Sequence, residues 1–450
     1  MAPMTQWEKR ATAIGFWLAV GLLAPSCRPK PDLKPDDGAG YAEPAGRVRP
    51  GIEVLVSERL DLIRGKNVGL ITNPSGVDGR LNSTISILRR TPGVNLVALY
   101  APEHGVRGDA QAGEYVSFYV DPKYRLPVFS LYGPSQKPQP GMLKDIDEFM
   151  RSFDTTAEDK TVGPEMTHDI DVLVFDIQDI GTRVYTYAAT MAYAMQTCAE
   201  SGVEFVVLDR PNPITGRVLE GPVLEYPEFS SFIGLYPVPL RPGMTIGELA
   251  RLINDRFLKK KAKLTVVPMK GWKPGMWFEE TGLPWVTPSP NMPTVDTAVV
   301  YPGQVLIEGT NVSEGRGTTH PFEYFGAPWI DGYELTGRLN ALRLPGVTFR
   351  EQWFSPTFSK FRDERCGGCQ IHVTDRNVFR PVRTSLHIIS VLREMYPDQF
   401  VFHDEYFDKV CGTSTVRKAL LGGVAADAIV RGFEKGLGEF EVLRKPYLLY

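Results

Sequence analysis

The chain of 450 residues is too long for one typical hydrophobic core, so we expect two domains. Its hydrophobic content of 43% and charged content of 23% are those of a globular protein. The net charge of −3 argues against a general nucleic-acid-binding protein, which would carry a basic surface.

The N-terminal segment has the features of an export signal. Lys9 and Arg10 precede the apolar residues 11–24, and Cys27 follows small residues. A membrane span needs about 20 apolar residues, so this stretch is too short to be one. "LAPSC" resembles the lipobox of bacterial lipoproteins. We therefore predict a signal peptide over residues 1–27 ending at a lipidated Cys27, with simple secretion as the alternative.

The segment that follows the signal, residues 28–49, is rich in Pro, Asp and Gly. Such a composition cannot bury a core, so it predicts a tether. An exported lipoprotein with a tether would be held at a membrane of the cell envelope, on its periplasmic or outer side.

From residue 51, apolar strand patterns alternate with helical patterns. The strands are "NVGLIT", "VNLVALY", "LPVFSLY", "IDVLVFDI" and "VEFVVLD", and the helices are "STISILRRT", "GMLKDIDEFM" and "YTYAATMAYAMQTCAESG". Ser83 is the predicted N-cap of the first of these helices. Continuous apolar strands between helices predict an α/β fold with a mostly parallel, Rossmann-like sheet over residues 50–295. Because no G-x-G-x-x-G follows the first strand, dinucleotide binding is not predicted.

Residues 296–450 predict a smaller α+β domain. Helical patterns "GYELTGRLNALRL" and "TSLHIISVLREMYP" flank strand patterns "GVTFREQWF" and "CQIHVTD", and two more helices are expected at about 413–421 and 424–437. Cys366 and Cys369 form an isolated C-x-x-C, which lacks the second pair of a structural zinc site. We expect buried thiols there, with a disulfide bond as the alternative.

Polar clusters follow three of the predicted strands, in "APEHGVRGD", "FDIQDIGTRVYTY" and "LDRPNPITG". The carboxyl ends of parallel strands lie at one edge of a sheet, which is where ligands bind in open α/β folds. The predicted functional edge therefore gathers Glu103, His104, Asp176, Asp179, Arg183, Asp209, Arg210 and Asn212. Taken singly, each has a structural alternative, for example Asp176 as a helix cap and Asp209 as the brace of its own turn.

Two later loops also have the composition of ligand-binding segments. Residues 308–323, "EGTNVSEGRGTTHPFE", interleave short polar residues with glycines. Residues 283–294 place Trp285 and Asn291 in a loop stiffened by prolines, which suits a sugar or a domain boundary.

The residue types at this edge favour glycoside hydrolysis. No G-x-S-x-G elbow is present for a serine nucleophile, and no H-x-x-x-H pair for a metal. Glycosidases instead need carboxylates beside the scissile bond. Glu103 with Asp176 or Asp179 fits that need in kind, although the sequence does not separate retaining from inverting chemistry.

Several long motifs, in order, resemble the bacterial exo-β-N-acetylmuramidase family. They are "APEHGVRGDAQAGE", "FDIQDIGTRVYTY", "LDRPNPITG", "PSPNMPT", "YPGQVLIEGTNVSEGRGTTHPFE", "CQIHVTDR" and "KPYLLY", and they run from about residue 50 to the end of the chain. The resemblance implies a Rossmann-like domain, a smaller C-terminal domain and an active site in the cleft between them. It also implies release of terminal N-acetylmuramic acid from the non-reducing end of peptidoglycan fragments, in cell-wall recycling, with no metal or organic cofactor.

By this resemblance Glu103 is the leading catalytic carboxylate, with His104, Asp176 and Asp179 as neighbours. The lactyl carboxylate of N-acetylmuramic acid calls for an arginine, and Arg107, Arg183 and Arg316 are unranked candidates. The substrate's own acetamido oxygen is an alternative nucleophile. The predicted substrate-binding residues are Arg107, Arg183, Tyr185, Asp209, Asn212, Asn291, Asn311, Ser313, Glu314 and Arg316.

Two other functions remain open on the sequence. A cell-wall-binding lipoprotein would keep the cleft without turnover, but it would not need Glu103 together with the aspartates. An esterase or amidase acting on muramyl substrates is disfavoured by the missing nucleophile elbow and metal ligands. Oligomeric state has no signal in the sequence.

Overall fold

The computed structural model describes residues 46–133, 136–144, 146–151 and 169–450. The predicted signal peptide, Cys27 and residues 28–45 of the predicted tether lie outside the described residues. Within the described part, no helix is long and apolar enough to cross a membrane.

The first part of the chain forms a mostly parallel sheet, which confirms the predicted α/β class. Among the described residues, its strand order is β3-β4-β2-β1-β5-β6-β9, and only the edge strand β3 runs antiparallel to its neighbour. The strands are β1 (Asn67–Thr72), β2 (Asn95–Ala101), β3 (Tyr119–Val120), β4 (Pro127–Ser130), β5 (Val172–Asp176), β6 (Glu204–Leu208) and β9 (Lys263–Val267), with β7 (Glu220–Val223) and β8 (Pro239–Arg241) paired separately.

The helices of this part cover both faces of the sheet. They are α1 (Gly51–Glu58), α2 (Thr84–Arg90), α3 (Ile146–Arg151), α4 (Tyr187–Ser201) and α5 (Ile246–Arg256). Alternate residues of β5 enter different cores: Val172 and Val174 pack with α1 and α2, whereas Leu173 and Phe175 pack with α4 and α5. A strand buried on both sides must be apolar throughout, which is why these strands are continuous apolar runs in the sequence.

The N-cap predicted at Ser83 is confirmed. Its side chain accepts a hydrogen bond from the Ser86 amide at 3.2 Å and so satisfies one free donor of the first turn of α2.

The second part of the chain is α+β. An antiparallel sheet in the order β10-β12-β11 is surrounded by helices. The elements are α6 (Val295–Glu308), β10 (Tyr324–Ala327), α7 (Gly332–Ala341), β11 (Val347–Phe354), β12 (Cys366–Val373), α8 (Pro381–Met395), α9 (Asp404–Cys411), α10 (Thr415–Leu421), α11 (Ala426–Arg431) and α12 (Glu434–Arg444). Cys366 and Cys369 are buried free thiols on β12.

Two helices of this part differ from the sequence expectation. The helix expected at 424–437 is two helices, α11 and α12, because the chain turns at Gly432 and Phe433. Helix α6 has no counterpart among the sequence predictions. Pro302 lies inside it, and a proline in a helix interior removes one backbone hydrogen bond.

The order of the sheet strands locates its crevice. From β1 the chain moves outward through β2 to β4, and then crosses to the other side of β1 at β5. Open α/β sheets bind ligands at the carboxyl ends of strands near such a reversal. Glu103 follows β2 and Tyr185 follows β5, so both belong to this edge.

Candidate active site

A cleft of about 370 Å³ opens at this edge of the sheet. Both parts of the chain line it. The earlier part contributes residues from the loops after β2, β4 and β5, and the later part contributes α6, the loop after α6 and α9. The lining includes Glu103, His104, Gly113, Tyr132, Gln136, Tyr185, Thr186, Phe232, Ser289, Asn291, Tyr301, Glu308, Arg316, Phe322 and Tyr406.

Glu103 lies in the cleft with both carboxylate oxygens oriented by hydrogen bonds. Oε1 accepts from the Gly113 amide at 3.1 Å, and Oε2 accepts from the Thr186 hydroxyl at 2.7 Å. Burial and the negative charge of Glu103 raise the pKa of Tyr132 to about 12. The phenol therefore stays protonated beside the carboxylate. Among the described residues, no arginine or lysine pairs with Glu103.

His104 sits in the same tight loop and is held as a neutral imidazole. Its backbone is left-handed at φ 73°, and the following Gly105 is at φ 78°, a conformation that glycine tolerates best. Burial lowers the pKa of His104. Nδ1 lies 2.9 Å from the Ala110 carbonyl oxygen, so Nδ1 carries the proton and Nε2 is left as an acceptor.

Arg316 provides the positive charge of the cleft. Glu308 accepts from its Nε at 2.9 Å, and a Glu314 oxygen lies 3.2 Å from the same nitrogen. Burial opposes the charge, but the two carboxylates outweigh it and raise the pKa of Arg316. Its guanidinium carbon also lies 5.0 Å from the ring centre of Phe322. Lys360 balances the second carboxylate, with Nζ 3.1 Å from a Glu314 oxygen.

Two further predicted residues, Tyr185 and Asn291, line the cleft. The Tyr185 hydroxyl donates to the Ser289 Oγ at 2.8 Å. The Tyr185 ring packs edge-on against Tyr301, with the ring centres 5.8 Å apart. The proline-stiffened loop 283–294 thus lies against the loop after β5. Trp285, from the same loop, packs edge-on against Phe278 and is not part of the lining.

Asp176 and Asp209 stabilise the sheet edge and do not line the cleft. Asp176 is fully buried and pairs with Arg210, whose Nε donates to it at 2.6 Å, and the Thr84 hydroxyl also donates to it. Asp209 accepts from the Thr245 hydroxyl at 2.8 Å, at the start of α5. Each carboxylate is bonded by donors inside the fold. Asp176 is bonded by Arg210 and Thr84 and does not cap the helix that follows it, α4.

Asp179 and Asn212 also lie away from the cleft lining. Asp179 borders a separate cavity of about 30 Å³, and its Oδ1 accepts from the Gly181 amide at 2.7 Å. Burial raises its pKa to about 7, and Oδ2 has no hydrogen-bond partner among the described residues. Asn212 bonds to the Met244 carbonyl and the Ile214 amide, which fixes its own turn.

The other two candidate arginines are used elsewhere. Arg107 is half-exposed and pairs with the buried Asp121. Arg183 is buried and donates to four backbone carbonyls, among them those of Val410 and Cys411 at 2.7 and 2.8 Å. Its role in the structure is to join the loop after β5 to the end of α9.

The remaining predicted residues of the loop after α6 shape that loop. Asn311 exchanges hydrogen bonds with the Gln399 carbonyl and the Val401 amide. Ser313 accepts from the Gly315 amide at 3.2 Å. Glu314 is buried between Arg316 and Lys360. These contacts place Arg316 in the cleft, but the three residues do not line it themselves.

Sequence reasoning missed several residues of the lining. Tyr301, Val305 and Glu308 come from α6, and their spacing of four and three residues puts them on one helical face. That spacing is a usable signal, but it requires α6 to be recognised despite Pro302. Tyr132, Phe232 and Tyr406 come from separate segments, and no local pattern marks them.

Comparisons with known proteins match nearly the whole described chain. The N-terminal model of the exo-β-N-acetylmuramidase NamZ family matches residues 68–154 and 150–296, and its C-terminal model matches residues 299–450. The peptidoglycan β-N-acetylmuramidase NamZ of Bacillus subtilis (strain 168) is 50% identical over 405 residues, which are 90% of this chain and 92% of that protein.

Two crystal structures of DUF1343 family proteins from Bacteroides fragilis NCTC 9343 are also similar. One has a TM-score of 0.79 at 39% identity and covers 90% of this chain and 100% of its own. The other has a TM-score of 0.69 at 29% identity and covers 90% and 99%.

Proposed function

Because the chain belongs to the exo-β-N-acetylmuramidase NamZ family, we propose that it is a glycosidase acting on peptidoglycan fragments. It releases N-acetylmuramic acid from their non-reducing ends, in the turnover and recycling of cell-wall material. The half-identical Bacillus subtilis relative carries the name of this activity. The observation that carries the proposal is Glu103, a buried carboxylate that lines the cleft and has no cationic partner among the described residues.

In its protonated form, Glu103 supplies the proton to the glycosidic oxygen as the bond to the anomeric carbon breaks, and water supplies the hydroxyl of the released N-acetylmuramic acid. The other carboxylate of the described lining, Glu308, accepts hydrogen bonds from Arg316 and from the Tyr406 hydroxyl at 3.1 Å. Its negative charge is therefore already paired with Arg316. Hydrogen bonds from Gly113 and Thr186 fix the Glu103 carboxyl in one orientation. General acid catalysis requires such a fixed group within hydrogen-bonding distance of the reacting oxygen. The neutral His104 beside it offers Nε2 as an acceptor for a sugar hydroxyl.

Arg316 is our choice for the partner of the lactyl carboxylate. It is the candidate arginine that lines the cleft, and its Nη1 makes no hydrogen bond to the described residues. The surrounding charges balance, since Glu308 and Glu314 face Arg316 and Lys360. A substrate carboxylate therefore adds a negative charge to a neutral cluster and gains a charge-assisted hydrogen bond.

The testing experiment measures release of N-acetylmuramic acid from N-acetylmuramyl-β-1,4-N-acetylglucosamine. We expect Glu103→Gln to lower kcat by about a thousandfold, because general acid catalysis typically contributes two to four orders of magnitude. The variant should still bind the disaccharide, since the amide keeps the size of the side chain.

The matched control is Glu279→Gln, an exposed glutamate outside the cleft, which should keep native activity. Equal rates for Glu103→Gln and the native protein would remove Glu103 from the chemistry. Binding without turnover by the native protein would favour a wall-binding lipoprotein.

We also propose that Cys27 is lipidated and that residues 28–45 tether the enzyme to an envelope membrane. The predicted tether ends before residue 49, because Val48 is fully buried against Met269 and Trp272. The basic pair, the short apolar segment and the lipobox-like "LAPSC" support this location. It would hold the cleft close to the cell wall that supplies its substrate.

A further inference from the structure

One part of the cleft lining carries aromatic rings in place of charges. Tyr132 and Phe232 line the cleft beside Gln136, and their ring centres are 5.8 Å apart. Tyr193, on α4, stacks on Phe232 at 6.2 Å with the ring planes only 12° apart. We call Tyr132, Phe232 and Tyr193 the aromatic row. All three rings are half-buried, so part of each remains accessible.

Tyr132 and Phe232 of the aromatic row line the same cleft as Arg316, and Tyr193 lies behind them on α4. Arg316 contacts Glu308, Glu314 and Phe322, none of which belongs to the row. Glu103 adjoins both regions. Tyr132 lies beside its carboxylate, and the positive charge of Arg316 helps to lower the pKa of His104, the next residue in the chain. The cleft is therefore polarised, with a charged region, a carboxylate and a neutral aromatic region.

We propose that the aromatic row binds the leaving sugar, the N-acetylglucosamine ring on the reducing side of the cleaved bond. This inference rests on the proposed function and names the second sugar of its substrate. The two sugars differ in charge, since N-acetylmuramic acid carries a lactyl carboxylate and N-acetylglucosamine does not. The acidic sugar fits the arginine region, and the neutral sugar fits the rings.

The geometry of the row suits a pyranose ring. One face of such a sugar presents C–H groups, which pack on aromatic rings as other apolar groups do, while its hydroxyls reach polar neighbours such as Gln136. Tyr193, on α4, stacks on the ring of Phe232 and restricts its motion. The Phe232 side chain therefore loses little conformational freedom when a sugar binds. With both sugars seated, the glycosidic oxygen lies between the regions, where Glu103 stands.

The experiment compares two substrates that differ only in the leaving group. One is N-acetylmuramyl-β-1,4-N-acetylglucosamine, and the other is the β-fluoride of N-acetylmuramic acid, whose leaving group has no ring. For Phe232→Ala and Phe232→Leu, we expect the ratio of kcat/KM for the disaccharide to that for the fluoride to fall about tenfold, the scale of one good aromatic contact. Phe232→Trp should keep the native ratio. Tyr333→Ala, which removes an exposed ring on α7, is the matched control.

Each outcome decides the inference. A parallel loss on both substrates would show that Phe232 acts only through the fold and would overturn it. An unchanged ratio in the Ala and Leu variants would overturn it as well. If the native protein cleaves the disaccharide while the ratio stays constant, the proposed function survives and the aromatic row is not a sugar site. If the native protein cleaves neither substrate, the proposed function falls, and this inference falls with it.

Discussion

Arg316 is held in the cleft by carboxylates on α6 and on its own loop, and this setting decides how it can be tested. Removing its charge would leave Glu308 and Glu314 facing each other across a buried site, which is costly. A lysine keeps the charge but cannot reproduce the guanidinium donors, of which Nη1 makes no hydrogen bond to the described residues and is left for the substrate. The exchange therefore separates recognition from stability.

We expect Arg316→Lys to lower selectivity for the muramyl sugar. The ratio of kcat/KM for N-acetylmuramyl-N-acetylglucosamine to that for di-N-acetylchitobiose, which lacks the lactyl carboxylate, should fall about tenfold, because the charge-assisted hydrogen bond from Nη1 of Arg316 is lost. Kinetics on both disaccharides give the ratio. Arg362→Lys, at an exposed position, is the control. A constant ratio in Arg316→Lys would assign the lactyl group to another residue.

Residue types alone cannot rank the polar residues at the sheet edge. Asp176 ends one buried strand and Glu103 follows another. Asp176 is hydrogen-bonded to Arg210 and Thr84, whereas Glu103 faces the cleft. Both residues satisfy the same strand-end pattern. The difference comes from the partners, which lie 34 and 92 residues from Asp176 in the chain.

At the scale of elements, α6 connects the catalytic cleft to the C-terminal core. Its face with Tyr301, Val305 and Glu308 lines the cleft, while Gly303 lies against α8. A Cβ at Gly303 would come within 2.0 Å of the Pro381 carbonyl oxygen, closer than any real contact. The two helices can approach this closely only because residue 303 has no side chain.

We expect Gly303→Ala to lower the free energy of unfolding by about 1–3 kcal/mol, the usual cost of overpacking. The matched control is Gly337→Ala on α7, where a Cβ would meet no atom within 4 Å. That change should be neutral or stabilise by up to about 1 kcal/mol, through helix propensity. Urea denaturation of the two variants measures both effects. Equal stabilities would mean that α6 and α8 separate without cost.

At the scale of the whole molecule, the chain end returns to the first sheet. The Tyr450 hydroxyl donates to Asp209 at 2.7 Å, and its ring packs edge-on against Trp272 at 5.0 Å. Arg183 links the loop after β5 to α9 in a similar way. These contacts connect the two parts of the chain that line the cleft.

The proposed anchor concerns the entire chain in its cellular setting. When the protein with its own N-terminus is expressed in a bacterial host, we expect labelled palmitate to be incorporated and the protein to sediment with membranes. Cys27→Ser should lose both properties and keep activity, because the lipid is attached at Cys27. The matched control is Ser26→Thr, which leaves the cysteine intact. Labelling of the Cys27→Ser protein would argue against the anchor.

The sequence by itself determined the fold class and the position of Glu103. Strands buried on both faces must be continuously apolar, and a helix cap such as Ser83 acts within three residues, so both signals are local. The end of β2 also marks Glu103 by its place in the chain.

Only the tertiary structure decided which polar residues face the cleft and which support it. Arg183 and Asn311 donate hydrogen bonds to backbone carbonyls of distant segments. Glu308, Phe232 and Tyr406, from three other segments, line the cleft together. The physical reason is that hydrogen-bond partners and burial depend on contacts far apart in the chain. No local pattern of residue types encodes such contacts.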